Sequence, residues 1–321
     1  MPDNALDNVK VEQLDQAIRA MLAGGSPEAG SGLAALVEIA ASLLDLPDES
    51  FQKRLKSDLK RRATMPASTT VSATQSTFTA TPFIAVENAP RLIEFLRRTF
   101  GAEETARHPH GDGFVASLRI GSSDVLVMGG ESVAGEEHIG AFHVFVPDCD
   151  ATYNRAIEAG GTSMGEPADR PYGERSGFVK DAAGNYWYIA TRLPGPIYIE
   201  GLGTVTPYLH PLSVSKFIDF AKQAFGAEEI ARYEHGGRVM HAAARIGSTI
   251  LEMGEPHEPD PLSNAFYLHV DDCDALYQRA IAAGATSLWP PTNQAYGERT
   301  AGLVDPFGYQ WIPATHIKNV G

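Results

Sequence analysis

The 321-residue chain carries 26 Lys and Arg against 40 Asp and Glu, a formal net charge of -14, with 43% hydrophobic residues. Such acidity repels a phosphate backbone and excludes nucleic acid as a general partner, and no apolar run approaches the roughly 18 residues of a membrane-spanning helix. No basic start followed by a solid apolar block opens the chain, so a cytoplasmic location is expected.

Residues 1–63 read as helical, with three apolar stripes: Val11, Leu14, Ile18, Met21 and Leu22; Leu33, Leu36, Val37, Ala40, Leu43 and Leu44; and Phe51, Leu55 and Leu59. A unit this short buries little by itself and is expected to pack on the rest of the chain or on a partner. The third stripe is flanked by Lys53, Arg54, Lys56, Lys60, Arg61 and Arg62. They are read as a solvated face whose cations suit a helix C-terminus, rather than as a patch for an anionic partner. Residues 64–80, rich in Ser, Thr and Ala with neither helical nor strand period, read as a linker.

From there the chain says everything twice. "FGAEE" occurs at Phe100 and at Phe225, "RIGS" at Arg119 and Arg245, and "AFHVFVPDCDATYNRAIEAGGTS" is answered by "AFYLHVDDCDALYQRAIAAGATS". The spacing stays between 124 and 126 residues, which marks a duplicated domain over 81–194 and 203–317. Within the first copy, "TPFIAV" reads as a strand and 89–100 as a helix with Leu92, Phe95, Leu96 and Phe100 inward. "GFVASLRIG" and "DVLVMG" follow as strands. The order then recurs: "AFHVFV" as a strand, a helix from Cys149 with Tyr153, Ala156 and Ile157 inward, a "YGER" turn, and two strands ending in "NYWYIAT". The fold class is therefore α+β, with four strand-helix-strand-strand-strand units behind an all-helical N-terminal extension. Cys149 and Cys273, at matching helix starts, are too few for a zinc cage and are read as reduced structural thiols.

The phrases "VTPYL", "FAKQAFGAEE", "GGRVMHAAARIGST", "YLHVDDCDALYQRAIAAGATS" and "YGERTAGLVDPFGYQW" resemble the vicinal oxygen chelate superfamily, the group of glyoxalase I, bleomycin resistance proteins and extradiol dioxygenases, with a flavour of its PhnB-like branch. The resemblance covers residues 81–317 and implies two tandem glyoxalase-like domains. It also implies that each helix covers the outer face of a curved sheet while the inner faces of two units enclose a cavity. Metal ligands in such proteins come from the start of the first strand and from the last strand of each unit. Carried over, those positions are Thr81, Val127, Ala141 and Tyr188 in the first copy and Thr206, Glu252, Ala265 and Ile312 in the second. Only Glu252 is a competent donor, so no metal site and no cofactor are expected.

Strand alternation then sorts the cavity-facing residues. Phe83, Val125, Val127, His143, Phe145, Tyr186 and Tyr188 are expected to line an aromatic box in the first copy, and Tyr208, His210, Ile250, Glu252, Tyr267, His269 and Gln310 a polar one in the second. Trp187 and Trp311 fall on the opposite parity and are expected beneath the helices. His210, His269 and Glu252 make an alternative set, for acid-base chemistry or for a relocated divalent ion such as Fe, Zn, Ni or Mn. Both histidines lie four residues, about 13 Å of strand, beyond a ligand position, which argues against a shared ion. His241 joins them at lower weight, and His108, His110 and His235 fall in turns between strands. Arg175 and Arg299, from the twin "YGER" turns, either meet an anionic ligand at a cavity mouth or pair with a local carboxylate.

Three functions compete: a metal-free binder of an aromatic or planar small molecule such as a metabolite or antibiotic; a lyase, isomerase or dioxygenase using His210, His269 and Glu252; and a ligand sensor whose N-terminal helices adapt it to a partner. The first is favoured because ligand positions are lost and aromatic residues gained. A tandem chain supplies both halves of a cavity, so a monomer is the default and a homodimer the alternative.

Overall fold

The computed structural model describes residues 79–133, 137–193, 199–258 and 262–317. The expected helical extension over 1–63, nearly all of the linker and the adaptor role built on them lie outside the described residues.

Four units follow one another in the expected order. The first runs β1 Thr79–Ala85, α1 Ala89–Phe100, β2 Glu103–His110, β3 Gly113–Ile120 and β4 Ser123–Gly129. The second runs β5 Ala141–Phe145, α2 Cys149–Glu158, β6 Thr162–Arg170, β7 Glu174–Lys180 and β8 Tyr186–Arg192. The third comprises β9 Val205–Leu209, α3 Val214–Phe225, β10 Glu228–His235, β11 Arg238–Ile246 and β12 Thr249–Met253. The fourth comprises β13 Ala265–His269, α4 Cys273–Ala282, β14 Thr286–Asn293, β15 Glu298–Val304 and β16 Gln310–His316. None of these helices is long and apolar enough to cross a membrane.

Local chemistry explains the helix limits. Asn88, Asp148, Ser213 and Asp272 each accept a hydrogen bond from the backbone N–H three residues on, satisfying a donor that the helix start leaves free. Gly101 and Gly226 stop α1 and α3 in the left-handed region, at φ 70° and 69°, where a side chain would be strained. The preceding Phe100 and Phe225 rings lie 5.2 and 4.5 Å from Trp187 and Trp311. "FGAEE" thus recurs because it ends the first helix of each copy and turns the chain into the next strand.

The units do not pair in sequence order. One eight-stranded sheet runs β14-β15-β16-β13-β1-β4-β3-β2 and joins the first unit to the fourth, while the other runs β10-β11-β12-β9-β5-β8-β7-β6 and joins the third to the second. Antiparallel seams hold them, with Phe83 opposite Ala265 and Ala141 opposite Tyr208. The hydrophobic cores, in contrast, follow the repeats. Leu96, Leu118, Val144 and Trp187 share one core under α1 and α2; Phe217, Leu251, Phe266 and Trp311 share the other under α3 and α4. Apart from Ala80 and Val205, the helix-facing core residues pack within their repeat, while at the seams the helix-free faces bring residues of the two repeats together. Reciprocal joints tie the copies together: Thr79 Oγ1 to Ser248 Oγ at 2.9 Å and Ala80 N–H to Thr249 Oγ1 at 3.0 Å answer Ser122 Oγ to Thr204 Oγ1 at 3.2 Å and Val205 N–H to Ser123 Oγ at 2.9 Å.

Trp187 and Trp311 lie beneath the helices as their parity demands, fully buried, each indole N–H donating to a buried aspartate, Asp181 or Asp305, at 2.9 Å. Cys149 and Cys273 are buried free thiols. Two expectations fail. Ile157 is exposed, on the outer side of α2. Val125 and Val127 face the helices, and Leu126 and Met128 take the helix-free face. The cause is a one-residue slip in the repeat: "FGAEE" recurs after 125 residues but "RIGS" after 126, and the surplus residue is absorbed by an additional irregularity at Tyr233/Glu234 in the β10–β11 pair. The counterpart of Glu252 is therefore Leu126.

Candidate functional site

The helix-free face of the second sheet gathers most of the chemistry. β12 presents Glu252 beside Tyr208 of β9, and β5 presents His143 across the seam. Glu252 and His143 are only 2% and 7% exposed. His143 Nδ1 lies 2.9 Å from Glu252 Oε2, and its Nε2 lies 3.3 Å from Glu174 Oε2 of β7. The other Glu252 oxygen lies 3.1 Å from His241 Nε2 of β11. Glu174, His143, Glu252 and His241 thus form a continuous chain across four strands. Burial disfavours the protonated His143 ring, but the Glu252 charge and the hydrogen bonds to Glu174 and Glu252 outweigh it and raise the pKa to about 10. Burial likewise disfavours the Glu252 carboxylate, yet the charge and hydrogen bond of His143, with the His241 contact, bring it down to about 2. Both shifts favour the imidazolium-carboxylate form of the pair over the neutral one.

Aromatic rings stand over this floor. Tyr208 lies 5.3 Å from Tyr188 and from His210, and 6.2 Å from His241, by ring centroids. Tyr188 stands edge-on to Phe178 at 5.1 Å, and its hydroxyl is 3.2 Å from His210 Nε2. Phe145 packs 4.2 Å from His143, with the Arg192 guanidinium 4.3 Å over its ring. Burial, aided by the Glu252 charge, pushes the Tyr208 phenol well above the ordinary tyrosine range, so it stays neutral.

The first sheet carries the same positions with the chemistry removed. Phe83, Leu126, Tyr267 and Ile312 stand where Tyr208, Glu252, His143 and Tyr188 stand in the second, and Val115 replaces His241. Val133, 2% exposed, folds into this apolar cluster from the short 3-10 turn after β4. Tyr267 donates its hydroxyl hydrogen bond to Glu298, the counterpart of Glu174.

His143, Phe145, Tyr188, Tyr208, His210 and Glu252 are therefore brought to one face, as residues of both repeats, and half-buried Tyr186 shares their strand parity. Phe83, Tyr267 and His269 belong to the other sheet. The set His210, His269 and Glu252 is accordingly split: His269 is exposed beside Tyr267 at 5.3 Å, one sheet away. Glu252 stands level with Tyr208. Arg175 and Arg299 do not line the helix-free face: Arg175 clamps Asp150 at the start of α2 and reaches Asp169, and Arg299 clamps Asp274 at the start of α4. Sequence reasoning missed Glu174. The twin "YGER" held the signal, since its glutamate takes the parity opposite to the arginine.

The metal positions implied by the resemblance regroup as Thr81, Leu126, Ala265 and Ile312 on one sheet and Thr206, Ala141, Tyr188 and Glu252 on the other. Neither set supplies the three or four donors a divalent ion needs. The acid chain does not replace them: Glu252 and Glu174 sit on opposite sides of the His143 ring, so they do not converge on one point with it. Among the described residues no group of three or more His, Cys, Asp or Glu is placed to hold a metal ion.

The model of the Glyoxalase/Bleomycin resistance protein/Dioxygenase superfamily matches residues 77–189 and 213–312, one stretch in each repeat. The chain belongs to that superfamily. Its members bind small molecules or act as enzymes. Uncharacterised proteins of Mycobacterium bovis and Mycobacterium tuberculosis are 33% identical over 129 residues, covering 36% of this superfamily member and 85% and 76% of the relatives. Glyoxalase I from Zea mays superposes with a TM-score of 0.59 at 16% identity, over 74% of this chain and 93% of its own. A putative dioxygenase from Bacillus subtilis gives 0.51 at 14%, over 76% and 87%. At such identities the likeness is one of fold.

The ion pair has a pH signature. Raised from 6.5, the His143 pKa contributes stability that is full below about pH 6.5 and lost as pH rises towards 10. Lowered from 4.5, Glu252 contributes stability that is present above about pH 4.5 and lost as pH falls towards 2. Urea midpoints are expected to drop between pH 6.5 and 10 in the wild type and to change less in a His143→Tyr/Glu252→Leu variant; parallel profiles would overturn this.

Proposed function

We propose that this superfamily member is a small-molecule-binding protein that holds a planar aromatic molecule on the helix-free face of its second sheet, without a metal ion. The observation that carries the reading is the convergence of Tyr188, Tyr208, Phe145 and Phe178 over the buried Glu252–His143 pair. Rings supply stacking surface, and the carboxylate fixes the orientation of a ligand donor. Membership of the PhnB-like branch, on the phrases "VTPYL" and "FAKQAFGAEE", is part of this proposal.

A catalytic alternative has one observation behind it: the Glu174–His143–Glu252–His241 chain, with Tyr188 on His210, is more ionisable machinery than stacking requires. The test is a thermal-shift screen of planar aromatic metabolites and antibiotics on the full chain, repeated on Tyr208→Leu and Tyr267→Phe. A hit weakened about ten-fold by Tyr208→Leu and untouched by Tyr267→Phe is the expected result. A hit indifferent to Tyr208, or one lost with Tyr267, would sink the assignment to the second sheet. Chemical conversion of a hit, followed by mass spectrometry, would favour the catalytic alternative.

A further inference from the structure

The helix side of the first repeat carries a feature independent of the face proposed above. A pocket of about 220 Å³ opens between the start of α1, the end of α2 and the β7–β8 turn. Its apolar wall is Val86, Leu92, Phe95 and Ala183; Asn88, Glu137 and Asp181 give it a polar side, and Glu87 and Arg91 stand at its exposed rim.

The repeat explains why space exists there. Counterparts of Leu92, Ala183 and Asn185 in the second repeat are Phe217, Phe307 and Tyr309. There the rings pack on one another: Phe307 stands edge-on to Phe217 at 5.5 Å and to Phe220 at 6.4 Å, and Phe217 stands at 90° to Tyr309 at 5.7 Å. In the first repeat the Phe220 counterpart, Phe95, is retained, but its ring contacts are with Phe100 and Trp187, both at 6.3 Å. The backbone frame is the same in both copies, with Asp181 and Asp305 closing identical turns. One copy thus keeps an aromatic plug as part of its chain and the other keeps the socket without the ring.

We infer that this pocket is a ligand site for a compact, single-ring aromatic molecule that takes the place Phe307 occupies in the sister repeat. The sister copy defines the chemistry: a benzene-sized ring, edge-on to Phe95, seated on Leu92 and Ala183, its substituent directed to the rim.

Toluene and phenol are the probes, titrated into the full chain with methyl-labelled Val and Leu and followed by NMR. One saturable site is expected, shifting the Val86 and Leu92 methyls. Ala183→Phe supplies the ring covalently; it is expected to raise the melting temperature and to weaken toluene about ten-fold or more. Phe307→Ala is expected to create a second saturable site at Phe217. Should Ala183→Phe fail to fold, Ala183→Leu, which fills part of the space, is expected to give an intermediate loss. No saturable binding to the wild type, or binding that survives both Ala183 substitutions, would overturn the inference.

Discussion

Replacing Glu252 by leucine is expected to cost about 3–5 kcal/mol of stability, read as a lowered urea midpoint at pH 6. The carboxylate is 2% exposed and holds His143 on one oxygen and His241 on the other. Its removal leaves a buried imidazolium facing Glu174 alone, and the ring must either stay charged without its main partner or give up its proton. Glu252→Gln keeps the shape and an acceptor and is expected to lose less. The first sheet shows how to repair the damage, because Leu126 and Tyr267 are the pair that stands in the same two positions there. The double variant His143→Tyr/Glu252→Leu is therefore expected to recover most of the loss while failing to bind any ligand that needs the carboxylate. Buried ion pairs replaced by packed apolar groups are often neutral or better, whereas half-removed pairs are not. A Glu252→Leu protein as stable as the wild type would show that the pair is not ionised in the fold.

Asp305→Ala is expected to cost roughly 3–5 kcal/mol, through orphaned donors rather than lost charge. One carboxylate accepts from the Phe307 N–H at 2.8 Å, the Tyr309 N–H at 3.0 Å and the Trp311 indole at 2.9 Å, and the residue is 4% exposed. Alanine offers none of these donors an acceptor. Asp305→Asn retains one oxygen and is expected to fall between alanine and wild type. Asp181→Ala should behave alike, because Asp181 takes the same role for Ala183, Asn185 and Trp187. Urea unfolding followed by tryptophan fluorescence reads both the midpoint and the environment of the indole; unchanged midpoints would remove these turns from the stabilising framework.

What the sequence determined by itself is the repeat and the order of elements within it. Repetition of "FGAEE" and "YGER" showed the duplication, the 3.6-residue and two-residue periods showed the unit order, and Trp187 and Trp311 could be placed beneath the helices because side chains on a strand alternate without exception between bulges.

Only the tertiary structure decided which units share a sheet. The seam between β1 and β13 joins residues more than 180 positions apart and that between β5 and β9 residues more than 60 apart, and nothing in local propensity distinguishes pairing within a repeat from pairing across repeats. That choice moved His269 away from His210 and Glu252 and brought His143 to Glu252. The one-residue slip between "FGAEE" and "RIGS" was visible in the sequence, but only the irregularity at Tyr233/Glu234 showed where it is absorbed, and so that Leu126 rather than Val127 faces inward. Parity is a local rule and survives only as far as the next bulge. Partnership across a seam is set by the packing of whole units, which no short stretch of sequence encodes.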